Sequence, residues 1–284
     1  MACILITGCG SGLGASLAIR LANEGHEVIA TVRSLDHKKP KVNGHSTSNL
    51  LEYTQMDVTK INEVKAVFDY LAKQGKQLDI VVLNAASYSM GTIESADYER
   101  SKQCFEVNYW GSLNVIRSAL PIMRHQLNGK IIGIGSISST VGLPCDGYYS
   151  ASKAAMERML ESLRYEVAPF GIDVSIIIPA AFCSNLFQSL PNELPESSPY
   201  YPLLKHWLTK IQHSSNPQEI DKTEVEDTIL RIISTKKPEF IYPVGAMASK
   251  VLGKLKVMTV EERKKAILTW SDTTWWSIID FKGK

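Results

Sequence analysis

Through the first two thirds of the chain, short apolar runs alternate with longer segments whose apolar residues recur every three or four positions. The short runs predict strands at Cys3–Thr7, Glu27–Val32, Leu51–Met56, Asp79–Leu83, Lys130–Gly135 and Asp173–Ile178. The longer segments predict helices at Leu13–Asn23, Ile61–Gln74, Tyr98–Gln126 and Tyr149–Ala168. Strands near five residues, rich in Val and Ile and separated by helices, build right-handed βαβ units around a parallel sheet. Such strands are buried on both faces, which is why Ile131-Ile132 and Ile176-Ile177-Ile178 do not alternate with polar residues. The expected fold is therefore α/β, a doubly wound parallel sheet in a three-layer α/β/α arrangement.

Beyond Pro179 the pattern loosens. Residues 182–217 are proline-rich, with Leu186, Phe187, Tyr200, Tyr201, Leu203, Leu204 and Trp207 interleaved. This stretch sits where a lid would cover a substrate, and its apolar side chains fit either a lipophilic ligand or packing on the core. A helix at Glu219–Ser234, a strand at Glu239–Pro243 and a mostly helical tail follow. Trp270, Trp275 and Trp276 in that tail suit packing in the core or against another subunit, or an amphipathic membrane contact. With 284 residues, the chain suits one domain: a core over 1–184, a lid over about 182–217 and an extension over about 245–284.

Composition narrows the class. A net charge of +2 gives no basic field for nucleic acid, and no apolar run approaches bilayer-spanning length. The opening Met1–Ile6 lacks a basic flank and runs straight into a glycine-rich turn, so it reads as a strand rather than a secretion signal. Five scattered cysteines without a Cys-x-x-Cys pair imply free thiols in a reducing, cytoplasmic setting. The six histidines show no metal-ligand spacing, so no metal is expected.

Thr7-Gly8-Cys9-Gly10-Ser11-Gly12-Leu13-Gly14 joins the first strand to the first helix. Glycine there permits a tight turn and close backbone approach to a pyrophosphate, which the unpaired N–H groups of the helix N-terminus then hold. The alternative is an ordinary strand-to-helix connection. At the end of strand two stands Arg33, where an acidic residue would favour NAD. An arginine can pair with a 2′-phosphate, so Arg33 and the Ser11 hydroxyl favour NADP, with NAD the less favoured cofactor. Asp36, three residues on, argues the other way.

Tyr-x-x-x-Lys occurs three times, at Tyr98/Lys102, Tyr149/Lys153 and Tyr201/Lys205, so the pattern alone decides nothing. Context selects Tyr149. It opens a helix that puts Lys153 one turn along on the same face, and Ser136 ends the fifth strand thirteen residues earlier. Hydride transfer to a ketone leaves an alkoxide that must be protonated, and a phenol beside an ammonium suits that exchange. Lys153 could supply the field and bind the nicotinamide ribose, while Ser136 hydrogen-bonds the substrate oxygen.

Thr-Gly-x-x-x-Gly-x-Gly (Thr7, Gly8, Gly12, Gly14) followed by Ser136, Tyr149 and Lys153 resembles the short-chain dehydrogenase/reductase family over at least residues 1–184. The resemblance implies a catalytic role for Asn108, which would hold a water linked to the lysine. It also implies cofactor contacts from Leu13, Asp57, Val58, Asn84, Ala85, Ala86, Pro179 and Ser184, with Asp57 meeting the adenine. An Asp57 that merely caps the next helix is the alternative. Two positions depart from the family: Ala86 and Ala180 stand where it has glycines. The nearest flavour is that of hydroxysteroid and retinol dehydrogenases.

These readings add up to an NADP(H)-dependent oxidoreductase acting on a small-molecule alcohol or carbonyl, with a lipophilic substrate. A homodimer or homotetramer is what the family implies. A catalytically silent, NADP(H)-sensing protein on the same fold is the alternative.

Overall fold

The computed structural model describes residues 1–35, 49–180, 186, 196–212, 221–255 and 257–279. Seven parallel strands run β1 (Cys3–Ile6), β2 (Glu27–Val32), β3 (Leu51–Gln55), β4 (Ile80–Leu83), β5 (Gly129–Ile134), β6 (Ile172–Pro179) and β7 (Ile241–Val244). Their order in the sheet is β3-β2-β1-β4-β5-β6-β7. The α-helices among the described residues are α1 (Gly12–Asn23), α2 (Ile61–Lys73), α3 (Tyr98–Phe105), α4 (Ser112–Gln126), α5 (Gly147–Val167), α6 (Tyr201–Gln212), α7 (Lys222–Ser234), α8 (Ala246–Leu255) and α9 (Val260–Trp270).

Successive strand residues point to opposite faces of the sheet, and both faces are covered. Ile4, Ile6, Val28, Ala30, Val82 and Ile132 pack with Leu17 and Leu21 of α1 and Ile229 of α7. Leu5, Ile29, Val81, Leu83, Ile131 and Ile176 pack with Phe68 of α2, Ile116 of α4 and Leu160 of α5. This two-sided burial removes the hydrophobic–polar alternation from the strands. It is the doubly wound fold expected.

The edge strand β7 contains Pro243. The Phe240 carbonyl accepts from Ile176 of β6 and the Val244 carbonyl from Ala180 just beyond it, so the backbone bonds of the intervening odd positions are directed away from β6.

One predicted helix is corrected. Tyr98–Gln126 is not a single α-helix: residues Glu106–Gly111 form a π-helical turn between α3 and α4. The extra residue in that turn leaves apolar periodicity on either side intact, so the sequence pattern conceals it. At its end Gly111 lies against Val58, whose Cγ2 would stand 2.5 Å from an added Cβ. The helix carrying Tyr149 starts two residues earlier than expected, at Gly147. No helix among the described residues is long and apolar enough to cross a membrane.

Leu160 is fully buried at the centre of the α5–sheet layer. Leu160→Ala should cost about 2–5 kcal/mol of stability, read from the denaturant midpoint. A shift below 1 kcal/mol, on the order of a surface substitution, would contradict that placement.

Candidate active site

Strand order reverses between β1 and β4, which leaves a crevice at the carboxyl ends of these strands. The glycine turn lines one side. Thr7 Oγ1 accepts from the backbone N–H groups of Asn84 and Ala85 at 3.0 and 2.9 Å. Asn84 Nδ2 donates back to the Thr7 and Gly8 carbonyls at 2.8 and 3.2 Å, so the two strand ends are locked together.

That lock explains two of the glycines. Gly8 has φ of +74°, and an added Cβ would lie 2.8 Å from Ala85 Cα. A Cβ on Gly14 would meet Asn84 Nδ2 at 2.4 Å and the Gly8 carbonyl oxygen at 2.6 Å. Beside Gly10 and Gly12, by contrast, nothing lies within 4 Å of an added Cβ. The Ser11 side chain makes no cap to α1 and is exposed. An open glycine rim at a helix N-terminus fits a pyrophosphate, so the residues present suit a dinucleotide.

The other predicted cofactor residues are spread along the same rim. Arg33 follows β2 and is exposed. Asp57 Oδ1 accepts from the Thr59 backbone N–H at 2.9 Å and from its hydroxyl at 2.8 Å. It forms a local turn rather than capping α2, whose N-cap position is Lys60. Val58 is buried, and its carbonyl accepts from Asn114 Nδ2 at 3.0 Å. Ala86 is exposed, and Ala180 is buried with its N–H donating to Val244. Neither alanine has left-handed backbone, so both replace glycine without strain. Pro179 ends β6, and Ser184 lies outside the described residues.

Ser136, Tyr149 and Lys153 converge. Ser136 follows β5, and its hydroxyl accepts from Ser138 N–H at 3.1 Å and hydrogen-bonds the Tyr149 phenol. Tyr149 is buried on the first turns of α5. Lys153, one turn on, is 2% exposed and donates to the Ile134 carbonyl at 2.8 Å. Asn108 is wholly buried, not the surface residue that an isolated asparagine suggests. Its Oδ1 accepts from Ser87 N–H at 2.8 Å, and its Nδ2 donates to the Ser87 carbonyl and to Ser152 Oγ, both at 2.9 Å. The asparagine thus fixes the residue next to Lys153.

A family model described as short chain dehydrogenase matches residues 2–194. The chain belongs to the short-chain dehydrogenase family. It is 31% identical over 254 residues to the 3-ketodihydrosphingosine reductase of Bacteroides thetaiotaomicron, with 89% of this chain and 91% of that protein covered. A short-chain dehydrogenase from Burkholderia cenocepacia, solved in complex with NADP, superposes with a TM-score of 0.73 at 25% identity, covering 95% and 97% of the two chains. Another, from Burkholderia phymatum in complex with NAD, shares the fold with a TM-score of 0.73 at 20% identity, covering 90% and 92%. As a member of this family the chain is an oxidoreductase.

The electrostatics of this short-chain dehydrogenase depart from the simple phenol–ammonium picture. Burial pushes the Tyr149 phenol up, nearby Asp146 pushes it further, and the Ser136 hydrogen bond offsets only part. The ammonium sits 6.0 Å from the phenol ring centroid, and burial lowers it to about 8. Three residues that the spacing argument passed over complete the surroundings of Tyr149: Tyr88, Asp146 and Trp207. Tyr88 packs edge-on against Tyr149 with ring centroids 5.0 Å apart, and its hydroxyl accepts from Trp207 Nε1 at 3.3 Å. Trp207 belongs to α6, inside the expected lid. Trp276 packs on Tyr200, just before α6, and Trp275 on His206 of α6, so these tail tryptophans brace that helix. Asp146 was detectable as a carboxylate just before the tyrosine helix.

Burial raises the Asp146 carboxyl from 3.8 to about 7. The folded chain therefore holds that proton more tightly than the unfolded chain. The resulting stability is full below about 4 and gone above about 7. Relative to wild type, Asp146→Asn should gain thermal stability as pH rises from 5 to 8. An unchanged or falling difference in melting temperature would refute the assignment of that titration.

Proposed function

We propose that the chain is an NADP(H)-dependent enzyme interconverting an alcohol and its ketone or aldehyde. The observation carrying this reading is the convergence of a buried phenol, a hydroxyl and a held ammonium at the carboxyl edge of the sheet, beside the open glycine rim. When bound, the nicotinamide supplies or accepts the hydride.

This chain's residues do the rest. Tyr149 gives its phenolic proton to the oxygen of a carbonyl undergoing reduction and takes one back in oxidation. Its raised proton affinity keeps it an acid at neutral pH. Ser136 hydrogen-bonds the same oxygen. Lys153 holds positive charge behind the phenol and reaches the nicotinamide ribose. Asn108 positions Ser152 and so the α5 turn carrying both. Gly8, Ser11, Gly12, Leu13 and Gly14 hold the pyrophosphate, and Arg33 meets the 2′-phosphate. Asp57 and Val58 flank the adenine, and Asn84, Ala85 and Ala86 the adenosine. Pro179 borders the carboxamide. The cluster of Cys145, Leu203, Leu204 and Trp207 over the site supports a lipophilic substrate.

Tyr149→Phe should lower NADPH-dependent turnover by roughly 10²–10⁴ with NADPH binding retained. A fully active variant would remove the tyrosine from the chemistry. NADPH should bind more tightly than NADH in fluorescence titration, and Arg33→Ala should erase most of that difference, roughly ten- to a hundredfold. An unchanged preference in the variant would exclude Arg33 as the phosphate contact.

A further inference from the structure

Asp146 occupies the N-cap of α5, where a side-chain oxygen ordinarily accepts from the backbone of the first turn. It makes no such bond. Its carboxyl is buried at 2% exposure, with Oδ2 accepting from Ser150 Oγ at 3.3 Å and Oδ1 unpartnered. The titratable groups around it are Tyr88 from the segment after β4, Cys145 beside it, Tyr149 on α5 and Cys104 on α3. The Ser138 hydroxyl also faces it. None of these is a cation. Lys153, the lysine of α5, lies two turns on and donates to the Ile134 carbonyl.

A buried carboxyl with an unfilled acceptor is costly unless a partner arrives. Hydroxyls already surround this one, yet burial still holds its proton affinity high. Positive charge is what the surroundings lack. Asp146 precedes Tyr149 by three residues, which puts the two Cβ atoms roughly 5–6 Å apart. Tyr88 borders both groups, packing edge-on against Tyr149 and hydrogen-bonding Asp146, and Trp207 hydrogen-bonds Tyr88 in turn. A ligand whose reacting oxygen meets Tyr149 is then within reach of Asp146 through its neighbouring carbon.

We propose that Asp146 is a specificity residue, its carboxylate accepting from a protonated amine on the carbon next to the reacting one, so that α-amino ketones and vicinal amino alcohols are the preferred substrates. This rests on Tyr149 meeting the reacting oxygen, as proposed above.

The test uses the full chain, NADPH and three ketones that share one apolar tail: an α-amino ketone, its α-hydroxy analogue and the unsubstituted ketone. Wild-type kcat/KM should favour the amino ketone over both others by roughly tenfold or more, the weight of one charged hydrogen bond. That preference should shrink as pH falls from 8 to 5 and the carboxyl takes up its proton. In Asp146→Asn the ratio of amino to unsubstituted ketone should collapse towards one at every pH. A wild-type ratio near one, an equal preference for the hydroxy ketone, or a ratio that survives in Asp146→Asn overturns the proposal. Absence of turnover with all three ketones would instead count against the enzymatic reading. Binding of the corresponding amino alcohol, followed by tryptophan quenching, decides recognition without chemistry: it should weaken roughly tenfold in Asp146→Asn, and equal binding by both proteins overturns the proposal.

Discussion

The site depends on one buried amide. Asn108 has no exposure, and its side chain spends its donors and acceptor on Ser87 after β4 and Ser152 on α5. An unsatisfied amide here would cost about 1–3 kcal/mol, so the three segments are held in one register. The π-helical turn exists where this residue must face inward, in keeping with the habit of such turns at functional positions. Removing the extra residue would rotate either the amide out of the site or α4 off the sheet. Tyr149 and Lys153 inherit their placement from this clamp.

Around it, three buried ionisable groups have been pushed towards their neutral forms. The phenol and the Asp146 carboxyl bind protons more tightly than usual, and the Lys153 ammonium less tightly. Burial is the largest cause in each case. The pocket is therefore sparing with charge, which raises the value of any charge a ligand carries into it. The ammonium is held by the Ile134 carbonyl, which accepts from it at 2.8 Å. Tyr149 is kept as a proton donor rather than a ready phenolate.

Strands and most helices were legible because burial on both sheet faces leaves unbroken Val/Ile runs, whereas helices show a three-to-four residue period. The spacing of Ser136, Tyr149 and Lys153 was legible because a helix turn and a strand end fix it locally. The interrupted helix was not, since one added residue barely perturbs the apolar pattern around Phe105 and Ile116. Nor was the sign of the phenol's shift. It depends on burial under Tyr88 and Trp207, the latter more than a hundred residues away in the chain, and no local spacing encodes that. At the two glycine-to-alanine departures, 86 and 180, the backbone does not adopt left-handed angles. The Asp57 carboxylate, weighed as a helix cap, folds onto Thr59 instead.

Pro243 carries a consequence for growth of the sheet. The odd positions of β7 direct their backbone bonding outward, and proline offers no N–H at that point. An eighth strand laid against this border would find a gap in its ladder, so edge-to-edge stacking into a fibre is disfavoured there. The border is blunted by one ring closure, without spending a charged side chain on the task.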